Sequence, residues 1–319
     1  MLGLGGKYLP PGANMAPTAL TMLPSNRADM LRNATCVYCG RDLETTGYTK
    51  EHVIGRRFVP RGSLDACWNL IVRACPACNG EKSDLEDDIS ALTLAYGASR
   101  PLVKADPLFA ADLDRKTRGS ISRQTGRAVA VSGETIEIRT ALWSNVVLTA
   151  RMSSPPRVDH ERVFALAHLQ IRAFFYRISY RSDTSTGRQW PGMFVPVMLA
   201  PQSNWGEPVI VEFSRATRSW PYRLIGVTAN GYFKVSIRKH PEEGAACWAW
   251  ALEWNQSFRV VGFFGMLEPP MAEAWSFEER LKRMVTRHPE GFLALGLEKP
   301  VESKDDTLFA LAGETEEGL

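Results

Sequence analysis

Hydrophobic and polar positions alternate with two different periods along this chain. Between residues 161 and 180, Phe164, His168, Ile171, Phe175 and Ile178 recur at the spacing of one helix face, behind Pro155, Pro156 and Asp159. A second helical pattern covers 84–96, where Leu85, Ile89, Leu92 and Leu94 sit among acidic and small residues. Its run Asp84, Glu86, Asp87 and Asp88 is expected to form a solvated face. Residues 135–152 alternate and are β-branched, which predicts two strands. Further strands are predicted at 194–199, 209–213, 233–238, 248–254 and 258–264. Asn230-Gly231 marks a hairpin turn between 223–227 and 232–237, and 277–285 reads as a last helix. The acidic tail from Glu314 is expected to fray.

Composition narrows the class. At 319 residues and 45% hydrophobic, the chain is long enough for two domains and too apolar for global disorder. A net charge of +3 does not mark a nucleic-acid binder by itself, so any phosphate-binding surface has to be local. No uninterrupted apolar run reaches the roughly 18 residues of a membrane span, and the Gly/Pro-containing start lacks a secretion signal. A cytoplasmic location is therefore expected, where thiols stay reduced and clustered cysteines are metal ligands.

The cysteines are clustered. Cys36-Val37-Tyr38-Cys39 and Cys75-Pro76-Ala77-Cys78 are two Cys-x-x-Cys pairs separated by residues 40–74. A two-residue gap lets both thiolates of a pair face one ion, and two such knuckles complete a tetrahedron around structural Zn²⁺. Cys67 stands outside both pairs and is expected to be a buried small hydrophobe. A zinc knuckle that only binds nucleic acid would need nothing more than this.

Between the knuckles lie Thr49-Lys50-Glu51-His52-Val53-Ile54, an arginine-containing loop over 55–68, and Asn69-Leu70-Ile71-Val72; Asn79-Gly80-Glu81-Lys82 follows Cys78. This order, over 36–82, resembles the zinc-containing branch of the HNH endonuclease family. The resemblance implies a ββα catalytic unit in which Val53-Ile54 and Leu70-Ile71-Val72 pair as strands and Asn79 opens the helix. His52 resembles the general base and Glu51 the acidic ligand of a catalytic divalent metal. Asn69 resembles the residue that holds the loop orienting the histidine, and Asn79 the last metal ligand. Lys82, three residues after Asn79, is placed to meet phosphate. The chemistry agrees: a histidine titrates near neutrality, and hard oxygen ligands suit Mg²⁺ or Mn²⁺. Two positions depart from the family pattern, Glu51 where Asp is frequent and Gly55 where Pro is common.

Arg56, Arg57 and Arg61 are candidate phosphate contacts, or plain solvent-facing charges of a loop. The stretch Arg115, Lys116, Arg118, Arg123 and Arg127 reads as a solvated basic linker, with a nucleic-acid-tracking surface as the alternative. His160, His168, His240 and His288 have no ligand spacing and read as structural or surface residues. Trp205, Trp220, Trp248, Trp250 and Trp254 read as core.

The expected architecture is α+β. It comprises an irregular arm (1–30), a small zinc-stapled ββα-metal HNH domain (31–98), a basic linker (99–127), and a larger mixed α/β domain (128–319). The expected activity is metal-dependent hydrolysis of DNA phosphodiester bonds. The alternative is a non-catalytic zinc-knuckle nucleic-acid-binding protein, against which the Glu51-His52 pair argues. Modules of this kind are commonly fused to docking domains. That implies a protein partner for the C-terminal part and a role as effector of a bacterial antiviral defence or mobile-element system.

Overall fold

The structure is a computed structural model that describes residues 19–97, 107–133, 135–143, 146–153, 155–277 and 298–310. The architecture is mixed α/β, with helices packed on sheets. Ten strands and six helices are used below.

The N-terminal unit begins with β1 (Asp29–Met30), which pairs in parallel with β3 (Leu70–Ala74). A short helix α1 (Leu43–Thr46), capped by Asp42, leads to β2 (Thr49–His52), antiparallel to β3 with Glu51 opposite Val72 and His52 opposite Ile71. The last part of the predicted arm is thus a strand, and Thr21 also bridges to Leu224. β2 ends at His52 rather than running through Val53-Ile54; Val53 adds only one further bond, to the Leu70 carbonyl at 2.9 Å. The helix α2 (Pro76–Gly97) starts directly behind Cys75, eight residues before the amphipathic pattern at 84–96. Its second half, Asp88 to Leu94, is buried all round, which erases the helical period the eye looks for.

The described part of the segment expected to be a linker, residues 107–127, is folded. Its helix α3 (Pro107–Gly119) packs on α2 and buries Phe109, Asp112, Lys116 and Thr117. Three further basic side chains of the stretch have acidic partners, and Arg127 is exposed. Arg115 pairs with Asp112, Arg118 with Asp114, and Arg123 with Asp84. A charge-rich sequence became a packed helix because Arg115 and Arg118 pair with acids three or four residues away and Lys116 is buried on carbonyls of the 57–59 loop.

A two-stranded ribbon follows, β4 (Thr135–Trp143) with β5 (Val146–Ser153), and then α4 (His160–Ile178), N-capped by Asp159. The main sheet is antiparallel in the order β6-β10-β9-β8-β7, built from β6 (Met193–Pro201), β7 (Tyr222–Thr228), β8 (Phe233–Lys239), β9 (Cys247–Trp254) and β10 (Phe258–Gly265). β7 and β8 form the hairpin announced by Asn230-Gly231, both with positive φ (54° and 84°).

One predicted strand is a helix. Residues 209–213 lie in α5 (Pro208–Thr217), which opens with a proline in its first turn and buries Ile210, Phe213 and Thr217. Val211, which a strand would place beside 209 and 213, is half exposed at 49%. The β-branched composition masked a three- and four-residue burial period. A sixth helix, α6 (Pro269–Trp275), follows β10. The helix expected at 277–285, His288 and the acidic tail lie outside the described residues, save Phe277.

The main sheet is covered on both faces. Along β9, Trp248, Trp250, Leu252 and Trp254 belong to one core, while Cys247, Ala249 and Ala251 belong to another beneath α5 and α6. The first core continues through α4 into the N-terminal unit, from Leu31, Val37 and Phe58 to Ile89 and Leu94. The division expected at residues 98 and 128 therefore does not separate two cores. Phe58 meets Trp254 edge-on at 5.4 Å, Trp68 meets Phe174 at 6.3 Å, and the Trp68 indole donates to the Val227 carbonyl at 2.8 Å.

Candidate functional site

Each knuckle is set by local backbone geometry. In the first, Gly40 takes a left-handed φ of 73° and donates to the Cys36 carbonyl at 2.8 Å, while the Cys36 amide donates to the Arg41 carbonyl. In the second, Cys75 ends β3 and Cys78 lies in the first turn of α2, where the Asn79 amide donates to the Cys75 carbonyl. The β2–β3 pairing closes the chain between them. The sulfurs of Cys36, Cys39, Cys75 and Cys78 then lie within 4.8 Å of one another, an arrangement that could hold a metal ion such as zinc. Burial, with the charge of neighbouring thiols added, pushes the Cys36 and Cys78 thiols above the ordinary cysteine range. Four thiolates this close are stable only around a cation, which is a physical argument for a metal here. Cys67 lies apart, half-buried rather than buried, with its sulfur 3.7 Å from the Asn230 amide oxygen.

Two groups from outside the unit grip the first knuckle. Arg172 on α4 donates to the Tyr38 carbonyl at 2.6 Å, and Gln189 donates to the Val37 carbonyl at 2.8 Å. Neither has any signal in the sequence, because both contacts exist only once α4 has docked.

His52 is the last residue of β2, half-buried beside the knuckles, and its Nε2 is buried with no hydrogen-bond partner. Burial lowers its pKa, and the charges of Arg56, Lys50 and Lys82 lower it further, which favours the neutral imidazole. Beyond it the chain turns under the control of Asn69, which is 6% exposed. The Asn69 side-chain amide donates to the Ile54 carbonyl at 2.8 Å, and its oxygen accepts from the Ile54 amide at 3.3 Å. Asn79 donates to the Thr49 hydroxyl at 2.8 Å, tying α2 to the start of β2.

Glu51 and Lys82 are engaged in the interior. Lys82, placed by the sequence at the phosphate-facing surface, is 1% exposed. Its ammonium lies 2.7 Å from Glu51, 2.6 Å from Glu86 and 3.1 Å from the His52 carbonyl. Burial alone would discharge it, but Glu86 and Glu51 outweigh that and hold its pKa above the usual lysine value. Tyr38 donates its hydroxyl to Glu51 at 3.2 Å. Neither Tyr38 nor Glu86 figured among the sequence candidates, although Lys82 and Glu86 stand four apart on one helix face. Gly55 is explained by the same cluster: a Cβ there would lie 2.2 Å from a Glu86 oxygen, and its amide donates to Glu86 at 3.1 Å. The acidic run is a solvated face only in part: Asp84 and Asp87 are exposed, while Glu86 and Asp88 turn inward. Asp88 is 1% exposed and pairs with Arg162 on α4, which also binds Asp84.

Arg56, Arg57 and Arg61 lie on the loop after His52 with exposed side chains and, among the described residues, no ion-pair partner. Lys50 on β2 is exposed beside them. The result is an imidazole whose Nε2 is buried and unpartnered, rimmed by cationic groups over a buried carboxylate–ammonium cluster. The other described histidines take no part. His160 and His168 pack against aromatic rings of Phe277 and of Phe194 and Trp190, and His240 packs against Trp220. Tested against family models, curated proteins and solved structures, the sequence and fold match none of them.

Proposed function

We propose that this chain is an endonuclease of the HNH type that hydrolyses phosphodiester bonds of DNA, with the four cysteines holding a structural zinc ion. The observation that supports it most is the setting of His52. An unpartnered imidazole nitrogen, its neutral form favoured, stands at the end of a strand that is locked to a tetrathiol knuckle on one side and to Asn69 on the other. In this reading a water attacks phosphorus, its proton passes to the His52 imidazole, and the bond to the leaving oxygen breaks, the departing alkoxide taking a proton from solvent. Arg56 and Arg57 balance charge on the phosphate oxygens.

A catalytic Mg²⁺ or Mn²⁺ on Glu51 and Asn79 does not fit the donor set as arranged. The misfit lies at Glu51, whose carboxylate is ion-paired with Lys82 and bound by Tyr38; Asn79 gives only its amide nitrogen to Thr49. No step is routed through such an ion. The engagement of Glu51 also favours a second reading, a zinc-knuckle module that binds nucleic acid without cutting it.

One experiment separates the two. Purified protein is incubated with supercoiled plasmid in Mg²⁺, in Mn²⁺ and in chelator, beside His52→Ala. Cleavage by wild type that falls at least about a hundredfold in His52→Ala, with DNA binding unchanged, is the expected result. Binding without cleavage under all three conditions makes the second reading correct.

A further inference from the structure

The loop carrying the arginines is held by an unusual number of side chains from remote parts of the chain. Its backbone carbonyls from Arg57 to Pro60 are all bonded. Arg57 accepts from Ser90 on α2 at 2.9 Å and from Lys116 on α3. Phe58 accepts from the Asn255 side chain at 3.1 Å, Val59 from Lys116 at 3.2 Å, and Pro60 from Ser63 at 2.6 Å. The Arg61 amide donates to Asp112 on α3. Phe58, Val59 and Pro60 are buried, while Arg56, Arg57 and Arg61 are exposed.

The anchoring groups are themselves deep in the fold. Lys116 is 6% exposed and spends all three protons of its ammonium on Arg57, Val59 and Ser90. Asn255 is fully buried in the turn between β9 and β10, with a positive φ of 52°, and also donates to Thr93 on α2 at 2.8 Å. A buried lysine is a costly way to satisfy carbonyls that could face water instead. Its consequence is a loop whose polar backbone faces inward and whose guanidinium groups face outward in a fixed array. Binding a polyanion with such an array loses less loop entropy than ordering a mobile one.

We propose that Lys116 and Asn255 are positioning residues for this loop, fixing its backbone so that Arg56, Arg57 and Arg61 are set in advance for successive phosphates of a DNA strand. The inference rests on the nuclease reading for its ligand, but its anchoring residues come from the segment that reads as a linker and from the C-terminal sheet. Those parts thereby take a share in the site without touching substrate.

The test uses full-length protein carrying Lys116→Met, Asn255→Gly (which tolerates the positive φ) and, as the direct-contact reference, Arg57→Gln. Hydrogen exchange is followed on peptides covering 55–63, and binding of a fluorescent 20-base-pair duplex is measured in chelator across a salt series. Expected are exchange in 55–63 at least about tenfold faster in both anchor variants, with the knuckle peptides unchanged. Duplex affinity should fall, with the slope of log affinity against log salt reduced by roughly 0.9 or more, as in Arg57→Gln. A purely structural role would lower stability and leave the salt slope alone, so an unchanged slope overturns the inference. Unchanged exchange overturns it as well. Should Lys116→Met fail to fold, Asn255→Gly decides. If wild type binds no duplex at any salt, the nuclease and DNA-binding readings both fail and this one goes with them. If wild type binds and the anchor variants bind equally, only this inference falls.

Discussion

Lys82 is the residue whose setting differs most from its sequence reading. Three positions after Asn79, it reads as a cation offered to phosphate, yet it is the shared counter-ion of Glu51 and Glu86 in a space closed by Tyr38. Removing it leaves two buried carboxylates with no cation between them. Lys82→Met should therefore lower stability by about 3–5 kcal/mol. Lys82→Met with Glu86→Gln should recover a large part of that, because one of the stranded charges is gone; chemical denaturation of the single and double variants measures both. If the single variant is as stable as wild type, the cluster contributes nothing and Glu51 is free for another role. The cysteine cluster was legible at this scale. Both knuckles, His52 and Asn69 stand where their spacing put them. Tyr38 and Arg172 were not legible, since they reach the site across sequence gaps that no local pattern encodes, whereas Glu86 stands four residues from Lys82 and could have been read from that spacing.

Among the elements, α5 shows how β-branched composition misleads. Val209, Ile210, Val211 and Phe213 read as a strand by residue type, but burial falls on Ile210, Phe213 and Thr217. The two assignments make opposite forecasts. In the helix Val211→Asp is tolerated to within about 0.5 kcal/mol because the position is half exposed. Ile210→Asp should cost more than about 3 kcal/mol by placing a charge in a pocket formed with Trp205 and Ala200. Thermal melts of the two variants settle it, and equal destabilisation would contradict the helix. The strands at 233–238, 248–254 and 258–264 were readable because sheet alternation and aromatic content point the same way there. The basic stretch was misread for a related reason: Arg115 and Arg123 pair with acids of α3 and α2, so its composition resembles a solvated loop.

At the scale of the whole molecule, one core joins the knuckle unit to α4 and the main sheet. Loss of the metal should then be felt far from the cysteines. Stripping the protein with a strong chelator, or making Cys78→Ser, should shift one cooperative unfolding transition, read by the buried Trp248, Trp250 and Trp254. Metal analysis of the wild type should return about one zinc per chain. A separate early transition for the N-terminal unit, with the tryptophan signal unmoved, would restore the picture of two independent domains.

The sequence by itself determined the cysteine cluster and most of the sheet. Ligand spacing, a histidine at a strand end and the alternation of the sheet are local relations between neighbours, and local relations survive in one dimension. Tertiary structure alone decided three things: that Glu51 faces an ammonium, that the arginine loop is fastened by Lys116 and Asn255, and that the chain folds around a shared core. Each depends on partners more than 25 residues apart. For such pairs the choice between a solvated charge and a buried, satisfied one turns on desolvation and packing, which no stretch of sequence carries on its own.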